Sequence, residues 1–134
     1  MHYLTFVGRV ARRTGTSQER AAELTQATLA TLTDRLTGGE VLDLAAQLPK
    51  PLQGLLKPHP RAEAADRFGA AEFVARVSRR AGVDENAARA GVRAVFCTLR
   101  EAISSGEFQD VVVQLPRDFR DMVEPALAPA SRRG

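Results

Sequence analysis

Apolar residues recur along this chain at spacings of three and four. Ala88, Val92, Val95, Phe96, Leu99 and Ile103 fall at i, i+4, i+7, i+8, i+11 and i+15, which is one face of a long helix. Phe6, Val7 and Val10 form a shorter stripe near the start, and Phe73, Val74 and Val77 form another in the second half. Gly15 and Gly82 follow these stripes, where glycine accepts the left-handed conformation just past a helix end. Thr16 or Ser17 in the first case, and Asp84 in the second, then supply an N-cap for the next helix.

Further along, Thr37-Gly38-Gly39-Glu40 and Ser104-Ser105-Gly106-Glu107 both read Ser/Thr-x-x-Glu. In such a capping box the hydroxyl accepts an unpaired N–H and the Glu reaches back to the cap. A third helix is predicted at each, with Val41, Leu44, Ala45 and Leu48 inward in one and Phe108, Val111, Val112 and Leu115 in the other. Alone, the run Val111–Leu115 would favour a strand, because β-branched residues suit pleated surfaces. Its counterpart Leu44–Leu48 consists of good helix formers, so a helix is expected for both. Pro49 and Pro116 end these helices. A short fourth helix carries Leu52, Leu55 and Leu56, or Phe119, Met122 and Val123.

The correspondence extends far beyond single motifs. Shifted by 67 residues, Phe6–Pro58 aligns with Phe73–Pro125 without a gap, and 18 of the 53 pairs are identical. This is an internal duplication, which has to be read before a fold is assigned. The expected fold is all-α: two tandem ~67-residue helical repeats, each of three long helices and one short one, packed as one pseudo-two-fold bundle. The expected organisation is a single domain over 1–134. Repeat 1 covers about 3–58, a Pro-containing connector 57–67, repeat 2 about 68–125 and a basic tail 126–134. One copy alone would be marginally stable, so the two should share a core. Five of the six Phe lie after residue 67, which puts the bulkier packing in the second copy.

The doubled pattern Phe-Val-x-Arg-Val, a capped long helix, then Gly-Glu-x-x-Asp-x-x-x-Gln-Leu-Pro resembles the bacterial domain-of-unknown-function family 2267. The resemblance covers nearly the whole chain and both copies. It implies an all-helical tandem-repeat protein of bacteria and carries no activity with it.

Charge narrows the function classes without choosing among them. The net charge is +3, and 17 Arg stand against only Lys50 and Lys57. Arg9, Arg12 and Arg13 with Arg76, Arg79 and Arg80 form a candidate basic face, which Arg89 and Arg93 extend in the second copy. Such a face could grip phosphates without reading sequence, but Phe6, Phe73, Phe96, Phe108 and Phe119 sit at core spacing, leaving no aromatic free to stack bases. Glu72–Arg76 and Glu85–Arg89 are i,i+4 pairs that would neutralise part of it. The second constellation is a polar stripe, Glu40, Asp43, Gln47 and its twin Glu107, Asp110, Gln114. It could serve as paired carboxylates for acid–base chemistry, but capping and the helix dipole explain Glu40 and Glu107 more simply. Within each repeat, an Arg of the first helix is expected to meet Asp43 or Asp110.

Other chemistry is sparse. His2 and His59 have no partner at metal-ligand spacing. Cys97 is the single cysteine and reads as a small buried thiol. Neither a signal-peptide core nor a membrane-length apolar run occurs. The expectation is a cytoplasmic protein, not an enzyme, with no cofactor and no metal. Its partner would be another protein or a second copy of itself; weak nucleic-acid binding through the Arg clusters is the alternative.

Overall fold

Gly15 and Gly82 carry φ of 69° and 68°, the left-handed backbone in which a Cβ would clash with the chain. Each closes a helix and turns the chain into a longer one. The computed structural model describes residues 1–57 and 67–127. Its helices are α1 (Tyr3–Thr14), α2 (Gln18–Arg35), α3 (Gly38–Gln47), α4 (Lys50–Gln53), α5 (Ala70–Ala81), α6 (Glu85–Ala102), α7 (Ser105–Val112) and α8 (Arg117–Leu127). No strand occurs among the described residues, so the chain is all-α. The central residues of the expected connector and most of the basic tail, with His59, lie outside the described residues.

The helix starts follow their capping chemistry. Ser17, rather than Thr16, caps α2 by accepting the Arg20 N–H at 3.1 Å, and Asp84 accepts the Ala87 N–H at 2.8 Å. Caps of this kind contribute about 0.5–2 kcal/mol each.

Packing joins the two parts of the chain closely. Helix α1 lies against both α2 and α6, α5 lies against the same two, and α2 and α6 cross each other. Phe6, Val10, Leu24, Leu32, Val77, Val95 and Leu99 are fully buried in the shared core. At the crossing, a Cβ on Gly91 would stand 2.7 Å from a Leu24 methyl. Leu24 and Gly91 are corresponding residues of the sequence alignment. One large side chain and one missing side chain fill a space that two leucines would overfill.

The expectation of three long helices and one short one in each half requires correction. Helix α4 has 4 residues and α8 has 11, while α7 has 8. Packing accounts for the longer α8. Phe119 replaces Leu52, and its ring centroid lies 4.5 Å from that of Phe73 and 5.2 Å from that of Phe96. This aromatic cluster docks α8 onto α5 and α6. Val111 and Val112 are helical as expected, but 113–115 form a turn. There the Gln114 and Leu115 N–H groups donate to the Val111 and Val112 carbonyls at 3.1 and 3.0 Å. The tightening precedes Pro116, whose ring disfavours helical backbone in the residue before it.

Two residues separate α3 from the end of α2 and α7 from the end of α6, and α3 and α7 pack on each other. That contact brings the two copies of the polar stripe together.

Candidate functional site

The hydroxyl half of each capping box forms. Thr37 Oγ1 accepts the Glu40 N–H at 3.4 Å, and Ser104 Oγ accepts the Glu107 N–H at 3.1 Å. The glutamates do not reach back as expected. The Thr37 N–H donates to Gln114 Oε1 at 3.0 Å, and the Ser104 N–H donates to Gln47 Oε1 at 2.7 Å. Each Gln also turns its amide N–H to the cap hydroxyl, Gln114 at 3.4 Å and Gln47 at 3.2 Å. A carboxylate offers only acceptors, whereas an amide offers a donor and an acceptor and so satisfies both cap groups. Each Gln therefore closes the start of the other helix, and the two Glu side chains are released.

Glu40 and Glu107 turn toward each other across the α3–α7 contact. They are 9% and 7% exposed, while Asp43 and Asp110 are exposed beside them. Because i and i+3 share a helix face, Asp43 follows Glu40 to the same side of α3. One carboxylate oxygen from each of Glu40, Asp43 and Glu107 lies within 4.8 Å of the other two. Glu40 Oε2 and Glu107 Oε2 are buried without a hydrogen-bond partner. Among the described residues, the ion pairs use other acids and reach none of these four. Burial pushes the Glu107 carboxyl up to about 8, with help from the adjoining Glu40 carboxyl and the charges of Asp43 and Asp110. The positive ends of the α3 and α7 dipoles offset part of this crowding.

The arginines behave differently. Arg13 holds Glu101 through two contacts at 2.6 and 3.0 Å and donates to Thr98 Oγ1 at 2.8 Å; Arg9 adds a third contact to Glu101 at 2.9 Å. On the other side, Arg76 and Arg80 meet Asp34 at 3.1 and 2.9 Å, and Arg80 donates to Thr31 Oγ1 at 2.7 Å. The expected partners Asp43 and Asp110 are not used. Asp34 and Glu101 take their place, and they are corresponding residues, as are Thr31 and Thr98. A signal for them existed: an acid stands at that position in both halves, three residues after a shared Thr.

The other arginines of the expected basic face have varied surroundings. Arg79 is exposed and 3.5 Å from Glu72, which Arg76 also engages at 2.8 Å. Arg93 donates to the Met122 carbonyl at 2.9 Å. Arg12 is exposed and Arg89 half-buried. The ion pair expected between Glu85 and Arg89 does not form among the described residues. A depression of about 360 Å³ is lined by Glu72, Arg76, Arg79 and Arg80, so its arginines already face carboxylates. The Cys97 thiol is half-buried rather than buried.

Among curated proteins, none matches the chain. A protein family described as uncharacterized conserved protein, DUF2267, matches residues 3–122, which takes in both glycine-ended helices and both acid-bearing phrases. The chain belongs to the DUF2267 family.

Proposed function

We propose that this is an internally duplicated, non-catalytic helical module of the bacterial cytoplasm that works by binding a protein partner or a second copy of itself. Its halves are related by an approximate two-fold axis. Reciprocity is the observation that carries the proposal. Arg9 and Arg13 reach Glu101, while Arg76 and Arg80 reach Asp34; Gln47 caps Ser104, while Gln114 caps Thr37. Contacts exchanged between corresponding residues are what a duplicated fold with such an axis produces.

The same pairs favour protein association over the nucleic-acid alternative. Arginines that would face phosphates are held instead by Asp34, Glu72 and Glu101. The lone cysteine suits a reducing compartment. No helix of the described residues is long and apolar enough to cross a membrane.

The test is recovery of the tagged chain from native lysate, with and without nuclease and at two salt concentrations, alongside sedimentation of the pure protein. A protein partner or self-association that persists after nuclease treatment is expected. Loss of all bound material on nuclease treatment, from a chain that sediments as a monomer, would return the Arg clusters to nucleic-acid binding.

A further inference from the structure

The geometry points to a binding site for a hard divalent cation of calcium or manganese type, held by Glu40, Asp43 and Glu107 and clamping α3 to α7. Two of these ligands come from α3 and one from α7, so an occupant would tie the halves together at the acid joint. Cation binding is separate from any partner binding proposed above.

Two observations carry this, and neither is acidity alone. The first is the pair of orphaned atoms. Glu40 Oε2 and Glu107 Oε2 are buried without a hydrogen-bond partner, in side chains more than nine-tenths buried. An unsatisfied buried carboxylate oxygen costs more than an ordinary unpaired polar group. A dication would supply both oxygens with a partner and neutralise charge that no Lys or Arg among the described residues reaches.

The second is spacing. Two oxygens sharing one ion cannot be farther apart than twice the ion–oxygen distance. At calcium distances that limit is about 4.6–5.2 Å, and at magnesium distances it is about 4.0–4.2 Å. The three oxygens lie within 4.8 Å of one another, so small side-chain shifts would bring all three to calcium distances. An all-carboxylate donor set selects hard cations over zinc or copper. Exposed Asp43 opens the cluster to solvent and gives the ion a way in.

The competing occupant is a proton shared between Glu40 and Glu107. The experiment uses the full chain, stripped with chelator and returned to chelator-free buffer near neutral pH. CaCl2 and MnCl2 are titrated by calorimetry, with Mn2+ spectra as a second readout and sodium at matched ionic strength as the control. Saturable binding near one ion per chain is expected. With only three protein carboxylates, Kd should fall in the weak range of about 10⁻⁴–10⁻³ M. Glu107→Gln should abolish binding. Asp43→Asn, at an exposed position that leaves the fold intact, should weaken it by about tenfold or more. Glu23→Gln, on α2 and outside the cluster, should leave it unchanged. The proposal is overturned if the wild type shows no saturable binding, or if Asp43→Asn and Glu107→Gln bind as well as the wild type. A wild type that takes no ion while Glu107 titrates far above the ordinary range would assign the joint to the shared proton instead.

Discussion

Two joints hold the halves together, and they treat charge in opposite ways. Where α1 meets α6 and α5 meets α2, each arginine pair faces an acid and a threonine hydroxyl of the other half. Where α3 meets α7, Glu40 faces Glu107 with Asp43 and Asp110 close by, and no base pairs with them among the described residues. Both charge patterns are written twice in the sequence. The difference lies in which residue meets which. A residue that contacts its own counterpart meets the same charge, as Glu40 meets Glu107. One that contacts a different position can meet the opposite charge, as Arg13 meets Glu101. Contact between different positions therefore lets charge be compensated, and contact between corresponding positions crowds it. The crowded joint is where a proton or an ion is needed.

The largest expected effect comes from emptying a closed joint. The Asp34 side chain is 7% exposed and holds two arginines. Asp34→Ala strands partly buried guanidinium groups and should cost about 2–4 kcal/mol in urea denaturation. A loss no greater than that of an exposed surface pair would show that this joint is not closed.

The cap exchange at the acid joint comes next. Thr37→Ala and Ser104→Ala should each lower stability by about 0.5–2 kcal/mol. Gln114→Ala should cost about 0.5–1.5 kcal/mol, and combining it with Thr37→Ala should lose less than the sum, because both changes break the same contacts. Additive losses would mean that the two helices are capped independently. The smallest effect belongs to Glu101→Ala. Its carboxylate is 37% exposed, and an ion pair open to solvent contributes about 0–1 kcal/mol. The contrast between Glu101 and Asp34 measures how much burial matters for the same pairing in the two halves.

Much of this architecture was legible in the residues. Apolar spacing and Gly15, Gly82, Thr37 and Ser104 located the helices, because periodicity and capping are local. The helical fate of Val111 and Val112 came from the counterpart sequence rather than from β-propensity. The length of α8 was not legible, since it depends on Phe119 reaching Phe73 and Phe96, a contact between distant parts of the chain. The site was visible as residues but not as a site. Gln47 and Gln114 stood in the polar stripe with no assigned task, and a local rule gave Glu40 and Glu107 a capping role that the glutamines fill. The arginine partners were misassigned for a related reason. Asp43 and Asp110 are the repeated acids that catch the eye, whereas Asp34 and Glu101 differ between the halves and match only in charge.

The two joints should also titrate in opposite directions. Hydrogen bonds from Arg13 across the α1–α6 joint, and from Arg76 within α5, hold Glu101 and Glu72 below the ordinary carboxylate range. Their contribution is present above that range and is lost as pH falls through the lowered values. Glu107 is raised from 4.5 to about 8, so between those values the folded chain binds more protons than the unfolded one. Its contribution is complete below about 4.5 and is lost as pH rises through about 8. The most direct measurement is the unfolding free energy of the chelator-treated chain from about pH 5 to about pH 9, for the wild type and for Glu107→Gln. The uncompensated acid joint predicts a wild-type stability that falls across this window and a slope that Glu107→Gln largely removes. A wild-type stability that is flat or rising there, or the same decline in both proteins, would contradict it.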